Sequence, residues 1–61
     1  MTDIRNLVED TIEKCQGSAS NMRSAASNTE NNAAKNAFEQ TAQQLEQCVQ
    51  KCRTALNQLE K

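Results

Sequence analysis

Sixty-one residues with no Pro, one Gly and one aromatic residue leave room for a single small domain and disfavour extended or turn-rich folds. The net charge is −1 with both signs interspersed, which gives no electrostatic footprint for nucleic acid or an anionic membrane. No apolar run approaches the roughly 18 residues of a membrane span and no signal peptide opens the chain, so the expected compartment is the cytoplasm.

In chain order, Thr2 or Asp3 can accept from the first free amides and cap a helix start. Ile4, Leu7, Val8, Ile12, Cys15, Ala19, Met22 and Ala26 then trace one helical face, predicting a first helix over about residues 3–27. Leaving out Leu7, the step is close to 3.6–3.7 residues, so this helix should be nearly straight or only weakly supercoiled. Glu9, Asp10, Glu13 and Lys14 fall on the outer side and read as a solvated face. A carboxylate site for a hard cation or for acid–base work is set aside there, because no His accompanies it and nothing suggests a pocket.

From Gly17 to Ser27 the chain turns small: Gly17, Ser18, Ala19, Ser20, then Ser24 to Ser27. Small residues let helix backbones approach closely, but Gly and Ser weaken a helix by several tenths to about 1 kcal/mol each. A break near Gly17, giving three helices, is the alternative. Asn28, Thr29, Glu30, Asn31 and Asn32 are the polar cluster between two periodic runs, which marks a turn at about residues 28–31. Thr29 or Asn31 can cap the second helix.

That second helix, over about residues 32–60, carries the cleanest pattern. Phe38, Leu45, Cys52 and Leu59 share one heptad position. Thr41, Cys48 and Ala55 share a second, and Ala42, Val49 and Leu56 a third. The remaining positions are almost entirely Gln, Glu, Lys, Arg and Asn. Ala33, Ala34 and Ala37 are expected to face the small end of the first helix. A short connection makes the two helices antiparallel neighbours. The expected fold is therefore all-α, an antiparallel two-helix hairpin. A lone hairpin leaves one side of so wide a stripe wet, so two hairpins are expected to dimerise into a four-helix bundle. The contacts expected to build the core and the dimer are Ile4, Val8, Ile12, Met22, Phe38, Leu45, Val49, Leu56 and Leu59.

Cys15, Cys48 and Cys52 are the only constellation that could carry chemistry. Cys48 and Cys52 are four apart on one helix, with β-carbons about 5–6 Å apart. With a reversal near residue 30, Cys15 falls level with about residue 45, so Cys48 lies roughly 4.5 Å farther along the axis. One reading is three small buried hydrophobes, since all three sit at stripe positions. Another is a soft-metal site for zinc, copper or an iron–sulfur cluster. A third is a redox thiol, for which Lys14, Lys51 and Arg53 are the only nearby activators.

The chain resembles domain-of-unknown-function family 1657, small helical proteins of spore-forming bacteria, from about Val8 to Glu60. The likeness rests on Thr11-Ile12, Cys15, Gly17, Met22, Thr29, Ala34-Lys35, Phe38 and Ala42-Gln43-Gln44-Leu45. The family has aliphatic residues where this chain has its three cysteines, a proline near the position of Thr54, and an acidic, proline-containing tail that this sequence does not show. The resemblance implies an association with sporulation or spore membrane proteins and transfers no activity and no catalytic residues.

Without His, Tyr or a Gly-rich phosphate loop, an enzyme is not expected. The expected role is a non-enzymatic structural or interaction module that binds itself or another protein. The alternative is a thiolate metal or cluster protein using Cys15, Cys48 and Cys52.

Overall fold

Two helices account for the fold. The computed structural model describes residues 3–59, with α1 at Ile4–Asn28 and α2 at Asn32–Leu59. Among the described residues there is no strand. The expected turn and helix bounds agree to within a residue where the two can be compared. Thr2 as a cap and residue 60 as helix lie outside the described residues.

Local chemistry sets each boundary. Asp3 is the cap of α1: its carboxylate accepts from the Arg5 amide at 2.9 Å and more weakly from the Asn6 amide at 3.4 Å, satisfying donors that have no partner within the helix. Gly17 does not break α1, and the helix runs through it without a positive φ. At the far end the Thr29 amide donates to the Ala25 carbonyl at 3.1 Å, and the Asn28 side chain donates to the Ser24 carbonyl at 2.8 Å. Thr29 then turns extended, with φ −89° and ψ 143°, and the helix stops. The Thr29 hydroxyl accepts from the Asn31 amide at 3.2 Å. Asn31 in turn caps α2, its side-chain oxygen accepting from the Ala34 amide at 3.0 Å. Of the two caps considered for the second helix, Asn31 is the one used, and Thr29 holds it in place. With only Thr29, Glu30 and Asn31 outside the helices, the chain reverses and α2 packs back along α1.

The buried set is small and strictly periodic. Ile12, Ala19 and Ala26 are buried on α1, and Ala42, Val49 and Leu56 on α2, each seven residues from the next. Half-buried Val8, Cys15 and Met22, then Phe38, Leu45 and Cys52, fall between them at alternating steps of three and four. This is a two-row seam at heptad spacing. Ile4 and Leu7 fall outside these two rows. The bulkier buried side chains, Ile12, Val49 and Leu56, form one cluster in the half away from the turn, with Val8, Cys15 and Cys52 packed against it. In the half towards the turn the buried residues are Ala19, Ala26 and Ala42 instead, beside half-buried Met22 and Phe38.

Several expected positions differ. Ile4 and Leu7 are 60% and 56% exposed, because they lie off the two-row seam; Leu59, 52% exposed, is on the seam but at its open end. Ala33 and Ala37 are exposed and only Ala34 turns inward, half-buried. The third row of α2, Thr41, Cys48 and Ala55, is exposed throughout, since a two-helix contact seals only two rows. Glu9, Asp10, Glu13 and Lys14 are on the outside as expected.

Candidate functional site

The seam has two flanks, and they differ in chemistry. In an antiparallel pair, equivalent flanking rows of the two helices fall on the same side. One flank carries Glu9, Gln16 and Arg23 from α1 with Glu39, Glu46 and Arg53 from α2. Arg23 and Glu46 form an ion pair across it. An open groove of about 830 Å³ runs along this flank, lined among others by Gln16, Arg23, Glu46, Gln50 and Arg53. Its lining is charged, amide and serine side chains over Ala19 and Val49.

The other flank carries Ile4, Thr11, Ser18 and Ala25 from α1 and Ala34, Thr41, Cys48 and Ala55 from α2. No residue of either row is charged. The Thr11 hydroxyl donates to the Leu7 carbonyl at 3.0 Å and the Thr41 hydroxyl to the Ala37 carbonyl at 2.9 Å. Both threonines therefore satisfy their polar hydrogen within their own helix.

The three cysteines lie in the half away from the turn, Cys15 and Cys52 on the seam and Cys48 on this uncharged flank. Cys15 and Cys52 are half-buried against the apolar cluster, while Cys48 is exposed. The reading of all three as buried hydrophobes therefore fails for Cys48, whose row lies outside the seam. Burial raises the Cys15 pKa above the ordinary 9.0, and hydrogen bonding and like charge from Cys48, then charge from Cys52, add to it. Cys52 is raised from 9.0 by burial, then by charge and hydrogen bonding from Cys48. Cys48 is thus the thiol that the other two share. All three are free. Among the described residues no group of three or more His, Cys, Asp or Glu side chains converges to hold a metal ion.

The activators considered for a redox thiol do not enter: neither Lys14, Lys51 nor Arg53 contributes to the raised thiol pKa values. Lys14 instead pairs with Asp10 at 2.9 Å along its own helix, and that hydrogen bond raises the lysine above 10.5. The sequence reading also missed the uncharged flank of α1. The signal was present: Thr11, Ser18 and Ala25 repeat at seven residues, in the same flanking position as Thr41, Cys48 and Ala55.

A family model described as a protein of unknown function, DUF1657, matches residues 8–60, nearly the whole chain. The chain belongs to the DUF1657 family. Comparison with curated proteins and with solved structures gave no match. This DUF1657 hairpin thus presents one charged flank, one uncharged flank and a thiol cluster at the edge of the latter. No helix among the described residues is long and apolar enough to cross a membrane.

Proposed function

We propose that this DUF1657 chain is a non-enzymatic helical module of the cytoplasm that self-associates, two hairpins packing over their uncharged flanks into a four-helix bundle. The observation that carries the reading is the flank of Thr11, Ser18, Ala25, Thr41, Cys48 and Ala55. It holds no charge to desolvate, and its threonine hydroxyls already have partners, so burying it strands few polar groups. Two further facts support the same occupant. The hairpin measures 46 × 18 × 11 Å, so one broad side is close to the roughly 800 Å² per partner that standard interfaces bury. The core inside one hairpin is thin: of the six buried residues, three are alanine. A role in sporulation is proposed on the family likeness alone.

The test is native mass spectrometry under reductant, with Thr41→Lys as the variant. Lysine is a better helix former than threonine, so the substitution leaves α2 intact while placing a charge in the middle of the flank. The expected result is a dimer for the parent chain and a helical monomer for the variant. A parent chain that is monomeric and fully helical at micromolar concentration overturns the reading. The second reading is a thiolate site for zinc, cuprous copper or an iron–sulfur cluster, suggested by the presence of Cys15, Cys48 and Cys52 in the same half of the hairpin. Such a site would need the thiols to converge further on one point. A metal adduct in the same spectrum, lost in Cys→Ser variants, would establish it.

A further inference from the structure

The uncharged flank is graded in size along its length. Ile4, Leu7 and Leu59, the exposed large apolar side chains among the described residues, all stand at the open end of the hairpin. Leu7 lies three residues from Ile4 and four from Thr11, so it belongs to the same side of α1. Leu59 lies four residues from Ala55 on α2. Towards the turn the same side carries Ser18 and Ala25 on α1, and Ala34 and Ala37 on α2. We propose that a second copy of this chain seats on the flank head over tail, the bulky open end of each hairpin covering the alanine end of the other. This pairing presupposes the self-association proposed above and adds its orientation and its contacts.

Two ways of stacking the flanks have two-fold symmetry. An axis along the hairpins puts both open ends together. Ile4 and Leu7 would then meet Leu59 of the second copy, while alanine faced alanine at the other end and left a gap. An axis across the hairpins sets large against small at both ends. Facing surfaces fill space best when large and small residues oppose one another, and the core of an interface packs as densely as a protein interior.

The register permits the crossed axis. Gln16 is midway between Leu7 and Ala25, so an axis at Gln16 lays each Leu7 on Ala25 of the second copy. The helices leave and enter the turn at Asn28 and Asn32, which makes Gln16 level with Gln44. The midpoint of Ala34 and Leu59 falls between Glu46 and Gln47, about 4 Å farther along α2. That is less than one helical turn, so one axis serves both helices and brings Leu59 over the Ala34 end. Lys14 and Lys51 are exposed in the rows beside the flank and fall at its rim, where long side chains carry their charge to water. The pairing also gives a place to three large side chains that a lone hairpin leaves in solvent.

Size swaps on the full chain test the orientation, with the dimer dissociation constant read by analytical ultracentrifugation under reductant and helicity checked by circular dichroism. Ala25→Leu sets bulk on Leu7 of the second copy and should weaken the dimer about tenfold or more. Ala25→Leu combined with Leu7→Ala exchanges knob and socket and should recover most of the lost affinity. With both open ends together, Ala25→Leu would instead fill the gap between alanines and tighten the dimer. An unchanged or tightened Ala25→Leu dimer, or a double variant no tighter than Ala25→Leu, overturns the head-over-tail pairing. A second readout leaves Leu7 and Ala25 untouched. A nitroxide is placed in the turn at Glu30→Cys, in a chain carrying Cys15→Ala, Cys48→Ala and Cys52→Ala, and the spin–spin distance is measured. Glu30 is fourteen residues from Gln16, so turns at opposite ends of the pair should give about 40 Å. A distance near two helix widths, about 20 Å, puts both turns at one end and overturns the pairing. A monomeric parent chain overturns self-association itself, whereas a parent dimer with the short distance or the tightened variant overturns only the orientation.

Discussion

Arg23 of α1 pairs with Glu46 of α2 across the charged flank of the hairpin. The two are 23 residues apart in sequence, and the contact exists only because the three-residue turn fixes how the helices are aligned. Both side chains are about half exposed, so solvent screens the pair and its contribution is about 0.2–1 kcal/mol. A double-mutant cycle of Arg23→Ala and Glu46→Ala in chemical denaturation should give a coupling energy in that range. Raising the salt concentration should shrink it. A coupling of several kcal/mol would mean that the flank is shielded from water, as it would be if this side, and not the uncharged one, met a partner.

Gly17 sits on the outer face of α1, exposed, with open space where a β-carbon would be. Its backbone is already helical, so alanine adopts the same conformation and lowers the entropy of the unfolded chain. Gly17→Ala should therefore stabilise the protein by about 0.5–1 kcal/mol, read as a higher denaturation midpoint with an unchanged slope. A destabilised variant would show that the small residue is needed for an approach by something outside the hairpin.

The hairpin was legible because its signals are local. The cluster from Asn28 to Asn32 contains the whole turn, and the heptads of α2 name its buried row, Ala42, Val49 and Leu56. The seam of α1 was harder to read. Ile4 and Leu7 look like core residues and are not, while Ala19 and Ala26 are buried and Ala25 is only half so. Alanine and serine are nearly neutral in pattern, so a stretch such as Ser24 to Ser27 does not say which residue turns inward. The facing helix decides that. The thiol cluster was half legible: spacing placed Cys15 near Cys48, but the exposure of Cys48 depends on which two of three rows the seam takes. Arg23 with Glu46 needed the register, which the sequence of neither helix contains alone.

The alanines near the turn are there for size. Ala42 is fully buried, with none of its surface exposed, and lies in the half of the seam where Ala19 and Ala26 also allow close approach. Ala42→Leu should cost about 1–3 kcal/mol by overpacking, although it adds apolar surface. Ala33→Leu, on the exposed face of the same helix, should stay within about 0.5 kcal/mol of the parent chain. Thermal unfolding of the two variants side by side tests whether the seam or helix propensity governs. Equal effects would rule out tight packing at Ala42.

The thiols give the fold a pH dependence on the alkaline side. Cys15 and Cys52 are raised above 9.0, by burial first and by their neighbouring thiols second. Between the unfolded and the folded pKa, the native state holds protons that the unfolded chain has lost. Stability therefore falls as pH rises through that window. The contribution is fully present below pH 9.0 and disappears once both folded pKa values are passed. The double variant Cys15→Ala, Cys52→Ala should lose this extra alkaline slope above pH 9.0. The slope expected from Lys14, which Asp10 raises above 10.5, should remain and begin higher. Denaturant midpoints of the parent and the double variant, measured under reductant at intervals from pH 7 to 11, check the sign. If the two curves stay parallel throughout, the half-buried thiols do not ionise differently in the folded and unfolded chain. The approach of Cys15 and Cys52 to Cys48 would then have no energetic consequence for the hairpin.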